Sequence, residues 1–235
     1  MQDIPLHVNG IPIIWIVFGL TILASWLVSH SLKSKFQKYS KIPVNYGLTG
    51  KDVAEKMLNE SDVRDVKITC INGQLTDHYN PITKSINLSK EVYYGNNVAA
   101  AAVAAHEAGH AVQHAHAYVW LGMRSNLVPV VSFASRWMQW VLLAGILLVE
   151  RFPELLLIGI ILFATTTLFS FITLPVEINA SKRALVWLSA HNITSPENHP
   201  KAQSALRTAA YTYVVAALSS LAALLYYIMI FLNRR

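Results

Sequence analysis

Three long stretches without a charged residue, 11–29, 155–174 and 209–232, constrain the fold of this 235-residue chain more than any other feature. Each supplies the roughly 20 apolar residues that a helix needs to cross a hydrocarbon core about 30 Å thick. A fourth stretch, 129–149, is equally long but contains Arg136. It reads as a span because 155–174 follows after the short turn Glu150-Arg151-Phe152-Pro153, as in a transmembrane hairpin. Composition agrees: 54% of residues are hydrophobic and only 14% are charged, against about a quarter charged in soluble domains.

The first span is not expected to be a secretory leader, because residues 1–10 include Asp3 and lack the basic residues of a signal peptide. Lys33, Lys35, Lys38 and Lys41 follow it directly, so the positive-inside rule places this flank in the cytoplasm and the N-terminus outside. Alternating the spans puts eleven Lys and Arg in 33–124 and four in 176–208 on the inner side. Arg151 and the pair Arg234-Arg235 fall outside, the pair against the trend. A net charge of +6 is therefore explained by membrane flanks, and no nucleic-acid partner is expected. The single cysteine, Cys70, rules out an internal disulfide and suits a reducing compartment.

Between the first two spans lies a mostly polar region. Thr49 can cap a helix running to about Asn59, with Asp52 at the third position. Residues 66–71 read as a strand, Asn72-Gly73 as a tight turn and 75–79 as its hairpin partner, with a third strand at 84–88. An alanine-rich helix then starts near Asn97. Its apolar run, 98–105, is too short to span and is followed at once by His, Glu and Gln, which places it at or above the interface.

That helix carries His106-Glu107-Ala108-Gly109-His110. Histidines at i and i+4 share one helix face and can share one zinc ion, with Glu107 beside them to take a proton from an activated water. A hydrolytic zinc site needs a third protein ligand. His114 lies a full turn of about 5.4 Å beyond His110, too far along a straight helix for bonds of about 2.0 Å. His116 stands where a metzincin would place its last ligand, but Gln113 replaces the glycine that turns such a chain back. Glu177, after the third span and with Pro175 expected in the first turn of its helix, is the preferred ligand. The small residues Ala180, Ser181 and Ala184 would let another helix approach it.

Taken together, Thr76-Asp-His-Tyr-Asn-Pro, Ala104-Ala-His-Glu-Ala-Gly-His-Ala-Val-Gln and Pro175-Val-Glu-Ile-Asn-Ala-Ser resemble the YugP-type neutral zinc metallopeptidases of bacterial membranes. More distantly they are similar to the HtpX-type membrane proteases. The resemblance implies His106, His110 and Glu177 as zinc ligands and Glu107 as catalytic base. Many relatives carry an Asp four residues after the ligand Glu to orient the first His; here that position is Ser181.

The expected architecture is mainly α: about four transmembrane helices plus a small cytoplasmic α+β zincin-like catalytic domain. Its expected parts are a first helix (1–32), the catalytic region (33–124), a hairpin (125–175), a helix with the third ligand (176–208) and a last span (209–235). The expected activity is zinc-dependent endopeptidase cleavage of protein or peptide substrates at the cytoplasmic face of the bacterial plasma membrane. Partners beyond substrate and lipid bilayer, whether other membrane proteins or a second copy, stay open. Candidates for oxyanion or substrate contact are His78, Tyr79, Arg183, His199, Arg207, Tyr211 and Tyr213, and the strand around Asp77 offers an edge for an extended substrate. A site-2-type intramembrane protease would need a later Asp ligand, and no Asp follows Asp77. A non-catalytic membrane scaffold retaining a zinc site is the alternative; a transporter is disfavoured because spans other than the second lack charged residues.

Overall fold

The computed structural model describes His7–Val8 and residues 11–233; Asp3 and the Arg234-Arg235 pair lie outside the described residues. Two short strands, β1 (His7–Val8) and β2 (Ile11–Pro12), pair antiparallel. Four long helices follow the apolar stretches: α1 (Ile13–Tyr39), α5 (Val119–Leu147), α6 (Pro153–Ala190) and α7 (His199–Leu232). All four are long and apolar enough to cross a membrane. Between α1 and α5 lie α2 (Gly50–Glu60), β3 (Lys67–Ile71), β4 (His78–Asn80), β5 (Ser85–Ser89), α3 (Lys90–Tyr93) and α4 (Val98–Ala115). Contacts divide the described residues into two units, one within Met1–Leu27, Met123–Leu174 and Thr212–Arg235, the other Val28–Gly122 with Pro175–Tyr211.

In the first unit, Leu142, Leu156 and Ile160 form a small core packed by Phe163, Leu224, Tyr227 and Ile228. The α5–α6 hairpin is close enough that a Cβ on Gly145 would meet the Leu156 Cα at 2.5 Å, so only glycine fits there. Pro153 is the first residue of α6, where a missing N–H costs nothing. Arg136 is exposed on α5.

The second unit has its own core. Val53, Ala54, Met57 and Leu58 of α2, Ile86 and Leu88 of β5, and the alanine face of α4 are buried together with Ala184, Leu188, Ile193 and Ala202. Helix α2 starts as its sequence predicts: the Thr49 side chain accepts from the Asp52 N–H while the Asp52 carboxylate accepts from the Thr49 N–H. Asn97 caps α4 by accepting from the Ala100 N–H at 3.0 Å.

The sheet corrects the expected hairpin. Strand order is β3-β5-β4, with β3 parallel to β5 and β4 antiparallel to it. Asn72-Gly73 therefore does not join paired neighbours; the chain crosses from β3 to the far side of β5. The hairpin lies one connection later, where the Asn80 side chain accepts from the N–H groups of Ile82 and Thr83 and turns β4 into β5. Asparagine chemistry at Asn80 overrides the Asn-Gly signal. The register pairs His78 with Asn87 and Tyr79 with Ile86.

A second correction concerns α6. No helix begins at Pro175; α6 runs unbroken for 38 residues through it. At about 1.5 Å per residue it is about 57 Å long, well beyond a hydrocarbon core. Its continuation carries the 175–190 segment into the second unit, and one missing backbone bond at Pro175 is tolerated within so long a helix.

Candidate active site

Helix α4 presents His106 and His110 one turn apart, their ring centroids 4.7 Å apart. Against that face packs the second-unit part of α6. The approach is tight: a Cβ on Gly109 would meet the Ala180 carbonyl oxygen at 2.9 Å. Gly109 inside the motif and Ala180 on α6 thus let the two backbones close together. This brings Glu177 Oε2 to 3.3 Å from His106 Nε2 and 3.6 Å from His110 Nε2.

Three ligand atoms bonded tetrahedrally to zinc at about 2.0–2.1 Å lie about 3.3–3.5 Å from one another. The two separations, 3.3 and 3.6 Å, are close to that spacing. His106, His110 and Glu177 form the one group of three His, Cys, Asp or Glu residues, among the described residues, whose ligand atoms all lie within 4.8 Å of one another. Two imidazoles and a carboxylate are a zinc donor set, and the residues fit the ion. His116 is exposed at the end of α4 and lies outside this group.

The other ring nitrogens are held as well. Gln113, fully buried, donates through Nε2 to the Val176 carbonyl and to Asn179 Oδ1, each at 2.9 Å. Both donations turn its Oε1 toward His110 Nδ1, 3.0 Å away. His110 must therefore carry its proton on Nδ1 and keep the Nε2 lone pair for the metal. Arg183 Nε donates to the same Asn179 oxygen at 2.8 Å, which fixes the Asn179 amide. Ser181 Oγ lies 3.1 Å from His106 Nδ1, so serine stands where it orients the first imidazole. One stretch of α6, from Val176 to Arg183, thus supplies the carboxylate, the partner of His106 and the acceptors that hold Gln113 against His110.

Gln113 and Asn179 were not legible as partners of a ligand: the sequence shows Gln113 only as the residue in place of a metzincin glycine and Asn179 only as part of a motif. Gln113→Leu is expected to keep the fold's volume but free the His110 ring, weakening zinc affinity by about 10- to 100-fold. Competition with a zinc-selective chelator measures this; unchanged affinity would contradict the orienting role.

Glu107 is 7% exposed. Burial is the chief reason its carboxyl is pushed up to about 7; His106 opposes this, the Glu177 and Asp77 carboxylates add to it, and a hydrogen bond from the Tyr79 N–H opposes it. Asp77, itself pushed up by burial, accepts from the N–H and hydroxyl of Ser89. In the zinc-free protein the raised Glu107 value has a consequence for stability. As pH rises from 4.5, the unfolded chain releases this proton before the folded one does, so the carboxyl lowers stability progressively up to about pH 7. Zinc-free Glu107→Gln is thus expected to exceed zinc-free wild type by up to about 3 kcal/mol above pH 7, the gap closing toward pH 4.5. Chemical unfolding in detergent at several pH values checks this; a gap independent of pH would contradict it.

The remaining sequence candidates are distributed more widely. Tyr79 contributes its backbone N–H to Glu107, while its hydroxyl is hydrogen-bonded to His114 Nδ1 at 2.7 Å. Burial pushes that phenol up to about 12. The His78 ring is bonded to the Thr76 carbonyl at 2.8 Å and to Asn87 at 3.2 Å. His199 Nδ1 pairs with the Thr194 hydroxyl at 3.0 Å. Arg207 Nε donates to the Tyr211 hydroxyl at 2.9 Å, and both line a separate cavity with Lys35. Tyr213 belongs to the other unit.

Comparisons with known proteins return a zinc-peptidase family and a membrane-protease relative. A family model described as "Putative neutral zinc metallopeptidase" matches residues 14–232. The chain is also 42% identical over 219 residues, 92% of its length and 96% of the relative's, to the "Putative membrane protease YugP" of Bacillus subtilis (strain 168). No solved structure gives a significant match.

Proposed function

This chain belongs to the neutral zinc metallopeptidase family, and on that premise we propose that it is a membrane-embedded endopeptidase working at the cytoplasmic face of a bacterial plasma membrane. The observation that carries the proposal is the placement of Glu177 Oε2 at 3.3 and 3.6 Å from the two histidine Nε2 atoms. Glu107 follows His106 directly on the same helix.

His106, His110 and Glu177 would hold the ion; bound zinc supplies Lewis acidity that polarises a peptide carbonyl and acidifies water. Glu107 accepts the proton of the attacking water and passes it to the departing amine. Burial, which strengthens the hold of this carboxyl on a proton, suits both halves of that transfer. The Tyr79 N–H holds the Glu107 carboxylate, while Gln113 and Ser181 keep both imidazoles aimed with Nε2 forward. The second unit, which contains all of these groups, is proposed to be the cytoplasmic, zincin-like catalytic part. The charge distribution supports that side: 33–124 and 176–208 carry fifteen of the nineteen Lys and Arg. Substrates are proposed to be proteins or peptides entering in extended form beside β4.

Cleavage of an unfolded protein reporter by the purified chain in detergent tests the proposal. Chelation should abolish cleavage and added zinc should restore it; cleavage that survives chelation would refute the reading.

A further inference from the structure

The cavity beside Lys35 has a different character from the zinc site. It measures about 420 Å³ and is lined by Lys35 of α1 and by Gln203, Ser204, Arg207, Thr208 and Tyr211 of α7, with Pro200 at its end. None of the zinc-binding residues borders it, and no carboxylate does. Lys35 Nζ donates to Thr208 Oγ1 at 2.6 Å, and Thr208 donates on to the Ser204 carbonyl at 2.8 Å. Two of the three ammonium donors remain for a ligand. Arg207 spends only its Nε on Tyr211, whose ring lies 5.6 Å from the guanidinium carbon, so four N–H groups stay available. Among the described residues, neither cation pairs with an acidic side chain.

Position supplies the second argument. Lys35 stands six residues beyond the apolar stretch 11–29 of α1, about 9 Å along the helix. Arg207 stands two residues before the apolar stretch 209–232 of α7. Both helices are long and apolar enough to span a membrane. Two unneutralised cations therefore share a pocket where two spans leave the hydrocarbon, with hydroxyl and amide groups around them. Basic pockets between spans at that level recognise phosphate headgroups.

We propose that this pocket binds the phosphodiester headgroup of one anionic phospholipid, Lys35 and Arg207 contacting the phosphate and Ser204, Gln203 and Tyr211 the polar headgroup. The lipid would bridge α1 and α7. Soluble phosphate shares the chemistry, but both helices that line the cavity contain apolar stretches long enough to cross a membrane, so the lipid is the ligand argued for.

Native mass spectrometry of the full chain in detergent, titrated with phosphatidylglycerol or phosphatidylcholine, tests the site. Wild type should bind phosphatidylglycerol about ten- to thirtyfold more tightly, on the order expected for two cations. K35Q/R207Q should lose that preference, whereas K33Q/K38Q, which removes the same charge from the same membrane flank outside this cavity, should keep it. Arg207 is exposed, so R207Q alone should fold and show a partial loss even where the double variant does not fold. Lack of preference in wild type, or equal loss in K33Q/K38Q, would overturn the proposal. Glycerol 3-phosphate displacing the lipid at equal concentration would overturn it in favour of a soluble anion. Zinc content and reporter cleavage are read separately, so failure here leaves the proposed peptidase reading untouched, and the converse holds.

Discussion

Glu107→Gln should lower the rate of peptide hydrolysis by at least about 10²-fold and by as much as 10⁴-fold, the range contributed by a positioned general base. The same variant should retain zinc. Glutamine has nearly the shape of the carboxyl and can still accept from the Tyr79 N–H that now holds Glu107, so the site should stay assembled while losing its proton acceptor. The loss should appear in kcat more than in KM, because the missing interaction belongs to proton transfer in the transition state. Metal analysis alongside reporter cleavage separates the effects. Full cleavage by the variant would eliminate Glu107 as base. If wild type and variant were equally inert with zinc in place, the non-catalytic scaffold would be the better description.

Glu177→Ala should abolish stoichiometric zinc. It removes the carboxylate that, among the described residues, faces both Nε2 atoms, leaving two imidazoles, one protein ligand short of a catalytic zinc site. Activity should fall with the metal. His116→Ala should leave zinc content unchanged, since His116 is exposed beyond the end of α4. Measuring bound zinc in the two variants discriminates the third ligands considered from sequence: loss in His116→Ala with retention in Glu177→Ala would reverse the assignment. Gln113 offers a graded comparison, because it orients a ligand without being one.

The helical framework was legible because long apolar stretches and the i, i+4 histidine pair are properties of consecutive residues. Thr49 and Asp52 were equally plain, since a capping box is local. The sheet was not. Asn72-Gly73 is a strong hairpin signal, yet β3 and β5 are parallel neighbours, and parallel pairing is set by side chains distant in sequence. Pro175 misled in another way: it favours helix starts, but tertiary packing carries α6 straight through it. At the site, the preference for Glu177 followed from a carboxylate at a span's end. The supporting groups could not follow, because Gln113 and Asn179 acquire their meaning only when α4 and α6 meet over Gly109 and Ala180. Tyr79 shows a further limit: its side chain drew notice, whereas the group at Glu107 is its backbone N–H, which every residue but proline possesses.

The central claim is that one zinc ion is held by His106, His110 and Glu177. X-ray absorption at the zinc edge, on the purified full-length chain, addresses it most directly. The account predicts one zinc per chain with two imidazole nitrogens at about 2.0–2.1 Å and the remaining ligands oxygen, a pattern that disappears in Glu177→Ala. Three imidazoles around the metal, or a thiolate from Cys70, would contradict it.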